Sequence, residues 1–393
     1  MDYNPFLPEV QHNPYPYYAE LRRHAPVYQV EGVGFWAVSR YDDVYSILRN
    51  PQVFPSSVLV AVAMGDSNPF PPEAPAIIGC DPPDHTRLRK LANRAFTPRR
   101  IASLESHIRE VTDQLIEQMP TQGEFDLVRD LSAPLPTITI AELLGVPAER
   151  RADFKRWSDD FVRSTNGAAV TREERDQIRQ SISEWFAYFR EVIAAYRKKP
   201  GDNLLSDLVR VEEENQMLTS EEILSLAAFL LAAGNETTTN LIGNAMLALF
   251  AHPQQLAHVR ANPALISNVV EETLRYDGPV QLLPRLSAQE MKLSGTTIPA
   301  GSVVLALLGS ANDDERKFPD PDHFDITRNT EGHIGFGFGI HFCMGAQLAR
   351  LEAKIVLEAL FKQFPRLARK DDRVARLESL SLRGPTTLPL IAA

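Results

Sequence analysis

A cysteine in a glycine-rich loop is the residue of this sequence best suited to metal chemistry. Cys343 stands in F-G-F-G-I-H-F-C-M-G, residues 336–345, among glycines that let the backbone take turns closed to other residues. Leu348, Leu351 and Ile355 follow at helical spacing, which predicts that a helix begins directly after the loop. The N-terminus of a helix favours a thiolate, the form of cysteine that binds metals. We therefore expect the loop to present a sulfur atom to a ligand.

Other roles for this sulfur have to be weighed first. A lone cysteine in a glycine-rich turn is often only a small buried hydrophobe. Structural zinc sites and iron–sulfur clusters take about four Cys or His ligands, and with only Cys80 and Cys343 in the chain neither site can be assembled from thiolates. A Cys–His nucleophile with His341 stays open, although a close neighbour in an open loop is poorly placed to act as its base. The remaining chemistry is one thiolate on one iron whose other ligands come from a cofactor, as in haem.

The loop resembles the haem-binding loop of the cytochrome P-450 family, whose pattern is F-x-x-G-x-[HR]-x-C-x-G. Every fixed position of the pattern is met, and further motifs of the family occur in order from His85 to the C-terminus, so the resemblance covers essentially the whole chain. It implies a haem b cofactor with Cys343 as the axial thiolate of the iron. Phe338 and Met344 stand where relatives often have His and Leu, changes that are expected to alter the packing around the sulfur. The resemblance also places other loop residues against the haem, namely Phe336, Gly337 and Gly345.

The two haem propionates need cations or hydrogen-bond donors. By resemblance, His341 of the loop binds a propionate. His85 and Arg89 match the H-x-x-x-R helix of the family, and Arg285 matches its strand arginine. Arginine can hold a carboxylate through two parallel hydrogen bonds. Without the resemblance, Arg89 in its run of basic residues would more often be part of a solvated face.

A long apolar segment, residues 223–251, contains Glu236 as its only ionisable side chain. A stretch of this length superficially suits a membrane span. Its polar centre, A-G-N-E-T-T-T-N, is costly in lipid, and T-S-E-E before it is a capping box for a helix in water. We therefore predict a long helix through a large core. Taken alone, Thr237 and Thr238 fit equally well a structural role in which their hydroxyls bond back to carbonyls one turn earlier.

The centre of this helix also resembles the oxygen-binding motif of the family, [AG]-G-x-[DE]-T, which here begins at Ala233. The resemblance implies that Ala233 contacts the haem and that Gly234 leaves room for dioxygen. It further implies that Glu236 and Thr237 relay the protons needed to break the O–O bond, which is general acid catalysis. Asn235 replaces a histidine that is common in bacterial relatives.

Glu272 and Arg275 form an E-x-x-R pair on a predicted amphipathic helix. Such a pair is ordinarily a surface salt bridge worth about a few tenths of a kcal/mol. The resemblance implies instead a buried pair that is completed by Arg328 and holds the thiolate loop in place.

A group of basic residues stands against an acidic background, since the net charge of the chain is −10. In the family, the thiolate side of the haem receives electrons, and a positive patch there would steer an acidic ferredoxin. We expect electrons to come from a separate ferredoxin and ferredoxin reductase. The residues of this basic group are Arg87, Lys90, Arg94, Arg99 and Arg100.

The expected substrate pocket is apolar, which predicts a lipophilic small molecule such as a fatty acid, terpenoid, steroid or polyketide. The same positions can equally be plain core. The candidate walls are residues 57–64, 281–283 and 378–380, and in particular Phe229, Ala232, Leu282, Leu283 and Leu380.

Length and composition agree with this interpretation. The 393 residues, 44% of them hydrophobic, can bury a large core, and the acidic balance argues against nucleic-acid binding. Two cysteines and an N-terminus without a basic and apolar leader favour a cytoplasmic protein with no membrane anchor, and we expect a monomer. The predicted fold is mainly α, the cytochrome P450 fold, as a single domain over residues 1–393. Small β-sheets are expected from segments such as residues 27–39 and 297–307.

The function implied by the resemblance is that of a haem-thiolate monooxygenase, which inserts one oxygen atom from O2 into a C–H bond of a lipophilic small molecule. Three alternatives stay open. The protein can be a peroxygenase of the same family, a member that carries out desaturation, coupling or dehydration, or a haem protein that only binds a ligand. The intact Glu236-Thr237 pair argues against the last of these.

Overall fold

The structure is a computed structural model that describes residues 3–64, 68, 70–165, 171–215 and 218–392. It is mainly α-helical, as the sequence predicts. The helices are α1 (Pro8–His12), α2 (Tyr15–His24), α3 (Tyr41–Arg49), α4 (Leu59–Met64), α5 (Asp84–Ala95), α6 (Pro98–Ser103), α7 (Glu105–Glu117), α8 (Pro134–Leu143), α9 (Arg151–Thr165), α10 (Arg172–Lys198), α11 (Leu204–Asn215), α12 (Ser220–Ala251), α13 (Pro253–Ala261), α14 (Ile266–Tyr276), α15 (Leu308–Asn312) and α16 (Ala346–Gln363).

Small sheets flank the helices. The strands are β1 (Val27–Gln29), β2 (Trp36–Val38), β3 (Gly123–Asp126), β4 (Leu283–Leu286), β5 (Met291–Leu293), β6 (Thr296–Ile298), β7 (Val303–Ala306), β8 (Leu367–Arg369) and β9 (Pro389–Ala392). One sheet has the order β1-β2-β7-β4, in which β2 and β7 are parallel and Trp36 pairs with Val304. A second has the order β3-β9-β8, and β5 and β6 form a hairpin. The segment expected at residues 27–39 supplies β1 and β2 of one sheet. The segment expected at residues 297–307 divides, because its second part forms β7 of the same sheet and its first two residues belong to β6 of the hairpin.

Helix α12 crosses the core and carries the central motif. Its start is fixed by a capping box, because the hydroxyl of Thr219 accepts from the backbone N–H of Glu222 and the carboxylate of Glu222 accepts from the backbone N–H of Thr219. Helices α8, α9, α11, α14 and α16 pack around it, so that its apolar side chains are buried on most sides. Within the described ranges, none of the helices combines the length and the apolar character that a membrane crossing requires.

A buried ionic cluster joins the two ends of the chain beside these sheets. The carboxylate of Asp277 accepts from Nε of Arg383 at 2.6 Å and from the hydroxyl of Tyr15 at 2.8 Å. The guanidinium of Arg383 also donates to the carbonyls of Gln11 and His12. Arg383 is 6% exposed and Asp277 is 7% exposed, so water has little access to their charged groups. The hydrogen bonds within the cluster take the place of those that water would provide. The first helices are thereby fixed to the C-terminal segment.

Candidate active site

The glycine-rich loop turns back on itself and places Cys343 just before α16. Gly337 and Gly339 both have a φ of 72°, in the left-handed region that favours glycine. The backbone N–H of Cys343 donates to the carbonyl of Phe336 at 3.0 Å, which closes the turn. Cys343 lines a cavity, and its accessible surface faces that cavity. Because protein surrounds the thiol, burial raises its pKa, while a hydrogen bond from the Gly345 backbone lowers it.

The cavity lies between α12, α16 and the cysteine loop. It contains about 1280 Å³ of space not filled by protein atoms, and part of this space is open to solvent. The wall residues that α12 contributes repeat at helical spacing and form one face, namely Phe229, Leu230, Ala233, Gly234, Thr237, Thr238 and Leu241.

Four nitrogen-bearing side chains gather at one side of the cavity. The rings of His85 and His341 lie 4.1 Å apart, centre to centre, and both residues line the cavity with Arg89. Burial, together with His85, Arg285 and Arg89, lowers the pKa of His341 to about 3. Burial likewise lowers the pKa of Arg285 to about 10. With the pKa values of both histidines lowered, the positive charge of this group resides on Arg89 and Arg285, and it favours an anionic ligand at the same place.

The hydrogen bonds of this cluster are incomplete. Nε2 of His85 is buried and has no partner among the described residues. Arg285 is 3% exposed, and Nη1 of its guanidinium donates to the carbonyl of Pro284 at 2.8 Å. Buried donors normally have acceptors, so a ligand with acceptor oxygens fits this site.

Ser56 and Asp81 belong to the cluster, and the sequence analysis did not identify them. The hydroxyl of Ser56 lies 3.0 Å from Nε2 of His341. The carboxylate of Asp81 accepts from the backbone N–H groups of Ser56 and Ser57, and so fixes this turn beside His341. Asp81 opens the D-P-P-D-H-T-R segment and can be suspected from the sequence, whereas Ser56 stands in no motif that we recognise.

The central motif of α12 divides between the cavity and the core. Thr237 lines the cavity, and its hydroxyl donates to the carbonyl of Ala233 at 2.7 Å. Glu236 is partly buried and is not among the residues that line the cavity. Asn235 points the other way, because its amide donates to the hydroxyl of Ser158 in α9 at 2.7 Å. The side chain of Asn235 therefore ties α12 to α9.

Gly234 also lines the cavity, and its missing side chain matters for packing. A Cβ placed there would lie 2.9 Å from Cδ1 of Ile140 in α8, closer than such atoms normally approach. Glycine thus permits the close contact of α12 with α8. The space beside it is taken by Ile140, which itself lines the cavity.

The E-x-x-R pair is completely buried. Glu272 and Arg275 share two hydrogen bonds, of 2.9 and 2.8 Å, and neither side chain has accessible surface. Nε of Arg328 donates to the same carboxylate at 3.3 Å. Arg275 and Arg328 also donate to backbone carbonyls between residues 312 and 323. The three side chains therefore join α14 to the segment that leads into the cysteine loop.

A second carboxylate, Glu271, supports the loop directly and was not identified from the sequence. It accepts from Nε2 of His333 at 3.0 Å and from two nitrogens of Arg350. These partners hold the pKa of Glu271 at about 2 against the effect of burial, so that it is a carboxylate at neutral pH. The guanidinium of Arg350 lies 4.5 Å from the ring centre of Phe336, the first residue of the loop. Phe338 packs on Tyr45 of α3, with ring centres 4.3 Å apart.

Of the expected pocket residues, Phe229 and Leu283 line the cavity, whereas Ala232, Leu282 and Leu380 do not. Neighbouring residues of a helix or an extended segment point in different directions, so Ala232 turns away where Ala233 faces the cavity. Leu282 is buried in a separate apolar cluster, against which Leu380 packs.

The expected wall at residues 57–64 is corrected as well. Residues 57–62 are not on the cavity wall, and the side chains of residues 63 and 64 lie outside the description. Helix α4 lies behind the wall instead, because Val60 packs against Gly79 at the end of the turn Ile77–Gly79. The side chains of Ile77 and Ile78 in this turn line the cavity.

The basic group on α5 and α6 is partly neutralised. Arg87 pairs with Glu222, and Arg100 pairs with Asp202 at 3.1 Å. Lys90 and Arg99 are exposed, and no ion pair joins them to other described residues. The side chain of Arg94 lies outside the description. Next to this face, the exposed Phe342 accepts from Arg89 through its carbonyl and precedes Cys343.

Comparison with known proteins identifies the class to which this fold and site belong. The sequence profile of the family "Cytochrome P450" matches residues 7–386. The chain belongs to the cytochrome P450 family, as the loop motif predicts, and it is therefore a haem b monooxygenase.

Individual members of the family are similar to this protein over almost its whole length. The vitamin D(3) 25-hydroxylase of Pseudonocardia autotrophica is 42% identical over 388 residues, which cover 96% of this chain and 93% of the relative. The structure of cytochrome P450 CYP109Q5 from Chondromyces apiculatus has a TM-score of 0.91 and 44% identity, and the match covers 100% and 98% of the two chains. CYP109E1 from Bacillus megaterium, in complex with testosterone, has a TM-score of 0.86 and 36% identity, with 98% of each chain covered.

The residues of the cavity fit haem b. A macrocycle needs apolar walls, which α12 and the turn Ile77–Gly79 provide. Propionates need donors; Nε2 of His85 is buried without a partner among the described residues, and the buried Arg285 guanidinium supplies further N–H groups besides the one bonded to Pro284. An axial ligand needs a sulfur that faces the cavity, which Cys343 supplies.

Proposed function

We propose that haem b lies in this cavity with Cys343 as its axial ligand, and that the protein inserts one oxygen atom from O2 into a C–H bond of a lipophilic small molecule. The observation that carries the proposal is the position of Cys343 on the wall of an apolar cavity that is also lined by Arg89 and by His85, whose Nε2 has no partner among the described residues. When bound, the haem supplies dioxygen activation and oxygen insertion.

His85, Arg89, Arg285 and His341 would bind the two propionates. Nε2 of His85 has no hydrogen-bond partner among the described residues, and Arg89 and Arg285 have no carboxylate partner among them. Phe336, Gly337, Gly345 and Ala233 would pack against the macrocycle. The Glu272, Arg275 and Arg328 cluster would keep the cysteine loop in place, since it fixes the segment before that loop.

Thr237 would orient a proton at the oxygen side of the cavity. Its hydroxyl hydrogen is used in the bond to Ala233, so its oxygen remains able to accept a hydrogen bond from a water molecule or a substrate oxygen. Gly234 keeps α12 close to α8 at this point. Glu236, which lies off the wall, would carry protons from the protein exterior towards Thr237.

Electrons would come from a separate ferredoxin and ferredoxin reductase. Lys90 and Arg99 present positive charge that no described residue neutralises, on the side where Phe342 is 42% exposed. An acidic partner that docks there would come close to Cys343.

The substrate would be lipophilic and of steroid or secosteroid size. Phe229, Leu283, Ile77 and Ile78 make an apolar wall, and two related proteins are named for vitamin D3 hydroxylation and testosterone binding. We expect testosterone or vitamin D3 to shift the Soret band of the haem when titrated into the protein, and we expect sodium benzoate, which is small and charged, to leave it unchanged.

The central test is the optical spectrum of the reduced carbon monoxide complex. Wild-type protein should show the red-shifted Soret band of thiolate ligation, and Cys343→Ala should lose it. Cys80→Ala is the matched control, because Cys80 is buried away from the cavity and should leave the band intact. A wild type without the band, or a Cys343→Ala protein that keeps it, would overturn the proposal.

A further inference from the structure

Glu271 binds the chain on both sides of the cysteine loop, and the E-x-x-R motif beside it does not include it. Before the loop, its carboxylate accepts from Nε2 of His333 at 3.0 Å, and Nδ1 of His333 accepts from the backbone N–H of Gly335 at 3.2 Å. After the loop, it accepts from Nε of Arg350 at 2.5 Å and from Nη2 at 3.0 Å. One carboxylate of α14 thus holds both segments that flank residues 336–345.

The side chains of Glu271, His333 and Arg350 together carry no net charge. Nδ1 of His333 accepts a hydrogen bond and therefore carries no hydrogen, so this ring is neutral. Glu271 is negative at neutral pH, because its pKa is about 2, and the guanidinium of Arg350 is positive. Within the described ranges, Glu271 is the carboxylate that pairs with Arg350. The charge of Arg350 is therefore balanced by Glu271.

The guanidinium of Arg350 lies beside the cysteine loop. It is 4.5 Å from the ring centre of Phe336, and the carbonyl of Phe336 accepts the backbone N–H of Cys343 at 3.0 Å. Phe336 and Cys343 both line the cavity. Burial raises the pKa of the Cys343 thiol, and the charge of Arg350 is among the causes that lower it. An unbalanced charge at Arg350 would therefore also act on a metal bound by the sulfur.

We propose that Glu271 keeps the reduction potential of the haem low by cancelling the charge of Arg350 beside the cysteine loop. Reduction adds one electron to the ferric haem, so a positive charge nearby favours the reduced form and a negative charge opposes it. Glu271 is not on the cavity wall and acts through Arg350, as a positioning residue. The inference rests on the proposed function, because it concerns an iron atom bound by Cys343.

Two single substitutions should move the potential in opposite directions. Glu271→Gln leaves the positive charge of Arg350 unbalanced, so the potential should rise. Arg350→Gln leaves the negative charge of Glu271 unbalanced, so the potential should fall. One elementary charge about 10 Å away, at an effective dielectric constant of about 20, changes the equilibrium constant for reduction on the order of tenfold. A smaller change is expected here, because the two side chains are 28% and 35% exposed and water screens them in part.

The measurement is a potentiometric titration of the substrate-free haem protein with sodium dithionite and redox dyes, which needs no ferredoxin. The double variant Glu271→Gln with Arg350→Gln is again neutral and should return close to the wild-type potential. Arg350→Lys keeps the positive charge while it loses the paired hydrogen bonds, so it should also stay close to wild type. Damage to the loop would instead move both single variants in the same direction, and the double variant at least as far.

Glu358→Gln is the matched control for the loss of one carboxylate. Glu358 lies further along α16, where it pairs with Arg109 at 2.8 Å, and it is off the cavity wall. Its substitution changes the net charge of the protein by the same amount as Glu271→Gln. The potential of Glu358→Gln should nevertheless stay close to that of the wild type.

The outcomes separate this inference from the proposed function. If the wild type lacks the carbon monoxide band of thiolate ligation, both are wrong. If the band is present and the two single variants keep the wild-type potential or shift it in the same direction, the inference is wrong and the proposed function stands. If Glu271→Gln does not retain haem, the Arg350 variants decide, because the inference requires a lower potential in Arg350→Gln and an unchanged one in Arg350→Lys.

Discussion

The hydroxyl of Thr237 can have either of two roles. It can help to deliver protons, or it can only form a hydrogen bond to the carbonyl of Ala233 in its own helix, and one substitution distinguishes these roles. Thr237→Val keeps the shape and removes the hydroxyl. If the hydroxyl orients a proton, haem content should be kept while electrons form hydrogen peroxide and product formation falls by about 10²-fold, or less where water replaces the hydroxyl. The measurement is product and hydrogen peroxide formed per NADPH.

Thr112→Val is the matched control for this experiment. Thr112 is buried in α7, and its hydroxyl donates to Ile108 at 2.7 Å with the same one-turn geometry, away from the cavity. Its loss should change stability slightly and leave coupling at the wild-type value. Equal coupling in wild type and Thr237→Val would remove Thr237 from the mechanism.

Glu352 should make stability depend on pH. Its folded-state pKa of about 8 lies above the ordinary value of 4.5, so the folded protein keeps a proton that the unfolded chain releases between these values. The free energy of unfolding should therefore fall as pH rises through this window, by up to about 1.4 kcal/mol per pH unit from this group. Urea unfolding at pH 5.5 and 7.5 should show a smaller fall for Glu352→Gln, and parallel behaviour of both proteins would contradict the assignment.

The sequence predicts site residues that belong to a recognisable motif. It misses site residues that come from other parts of the chain and reach the site only through tertiary packing. Cys343, His341 and Thr237 stand in motifs that can be recognised letter by letter, and all three line the cavity. Ser56 and Glu352 come from distant segments, and their proximity to the site depends on how α16 and the turn at residue 56 pack in three dimensions. Ala232 shows the opposite error, since one step along a helix turns a side chain about 100° away from the cavity.

At the scale of elements, the buried Glu272 cluster should dominate the stability of the cysteine loop. Glu272→Gln removes the negative charge that faces Arg275 and Arg328; the side chains of Glu272 and Arg275 have no accessible surface, and that of Arg328 is 11% exposed. Leaving a buried cation unpaired typically costs about 3–5 kcal/mol. Urea unfolding followed by circular dichroism should show a loss of this size.

An exposed ion pair provides the comparison. Asp159→Asn breaks the pair with Lys155 on α9, where the two side chains are 53% and 62% exposed. Because water screens such pairs, the expected change is within about 0.5 kcal/mol. A Glu272→Gln protein no less stable than Asp159→Asn would contradict the structural role of the cluster.

Local sequence patterns predict where helices and strands occur better than they predict which helices and strands contact each other. The capping box at Thr219 gives the start of α12 to the residue. Strands are also predicted within residues 27–39 and 297–307, but nothing local indicates that β2 pairs with β7 in parallel, because that pairing joins segments more than half the chain apart. Helix α4 is apolar like a cavity wall, yet its position behind the turn Ile77–Gly79 follows from the packing of Val60.

At the scale of the whole molecule, charge should govern the encounter with an electron donor. The double substitution Lys90→Glu and Arg99→Glu reverses the two exposed cations that no described residue neutralises. Reduction by ferredoxin should slow and lose most of its salt dependence, because exposed charges are screened beyond about 10 Å at 0.1 M ionic strength. Stopped-flow reduction at several salt concentrations measures both effects, and turnover driven by hydrogen peroxide should be unchanged.

Lys292→Glu serves as the control for charge reversal. Lys292 is an exposed residue of the β5–β6 hairpin, so its reversal changes net charge away from α5 and α6. It should alter ferredoxin reduction far less than the double substitution. Equal loss in ferredoxin-driven and peroxide-driven turnover would mean that Lys90 and Arg99 support folding.

The hydrogen bond between Arg383 and the carbonyl of His12 can form only late in the synthesis of the chain. The two residues are 371 positions apart. At a ribosomal rate of about 5–20 residues per second, roughly 20–70 s pass between their appearances. Throughout that interval the N-terminal helices lack the guanidinium that holds their carbonyls, and Asp277 lacks the closer of its two arginines. Until Arg383 has left the ribosome, the contacts that it makes with Asp277, Gln11 and His12 are missing. These groups of the growing chain therefore stay accessible to proteases and chaperones during that time.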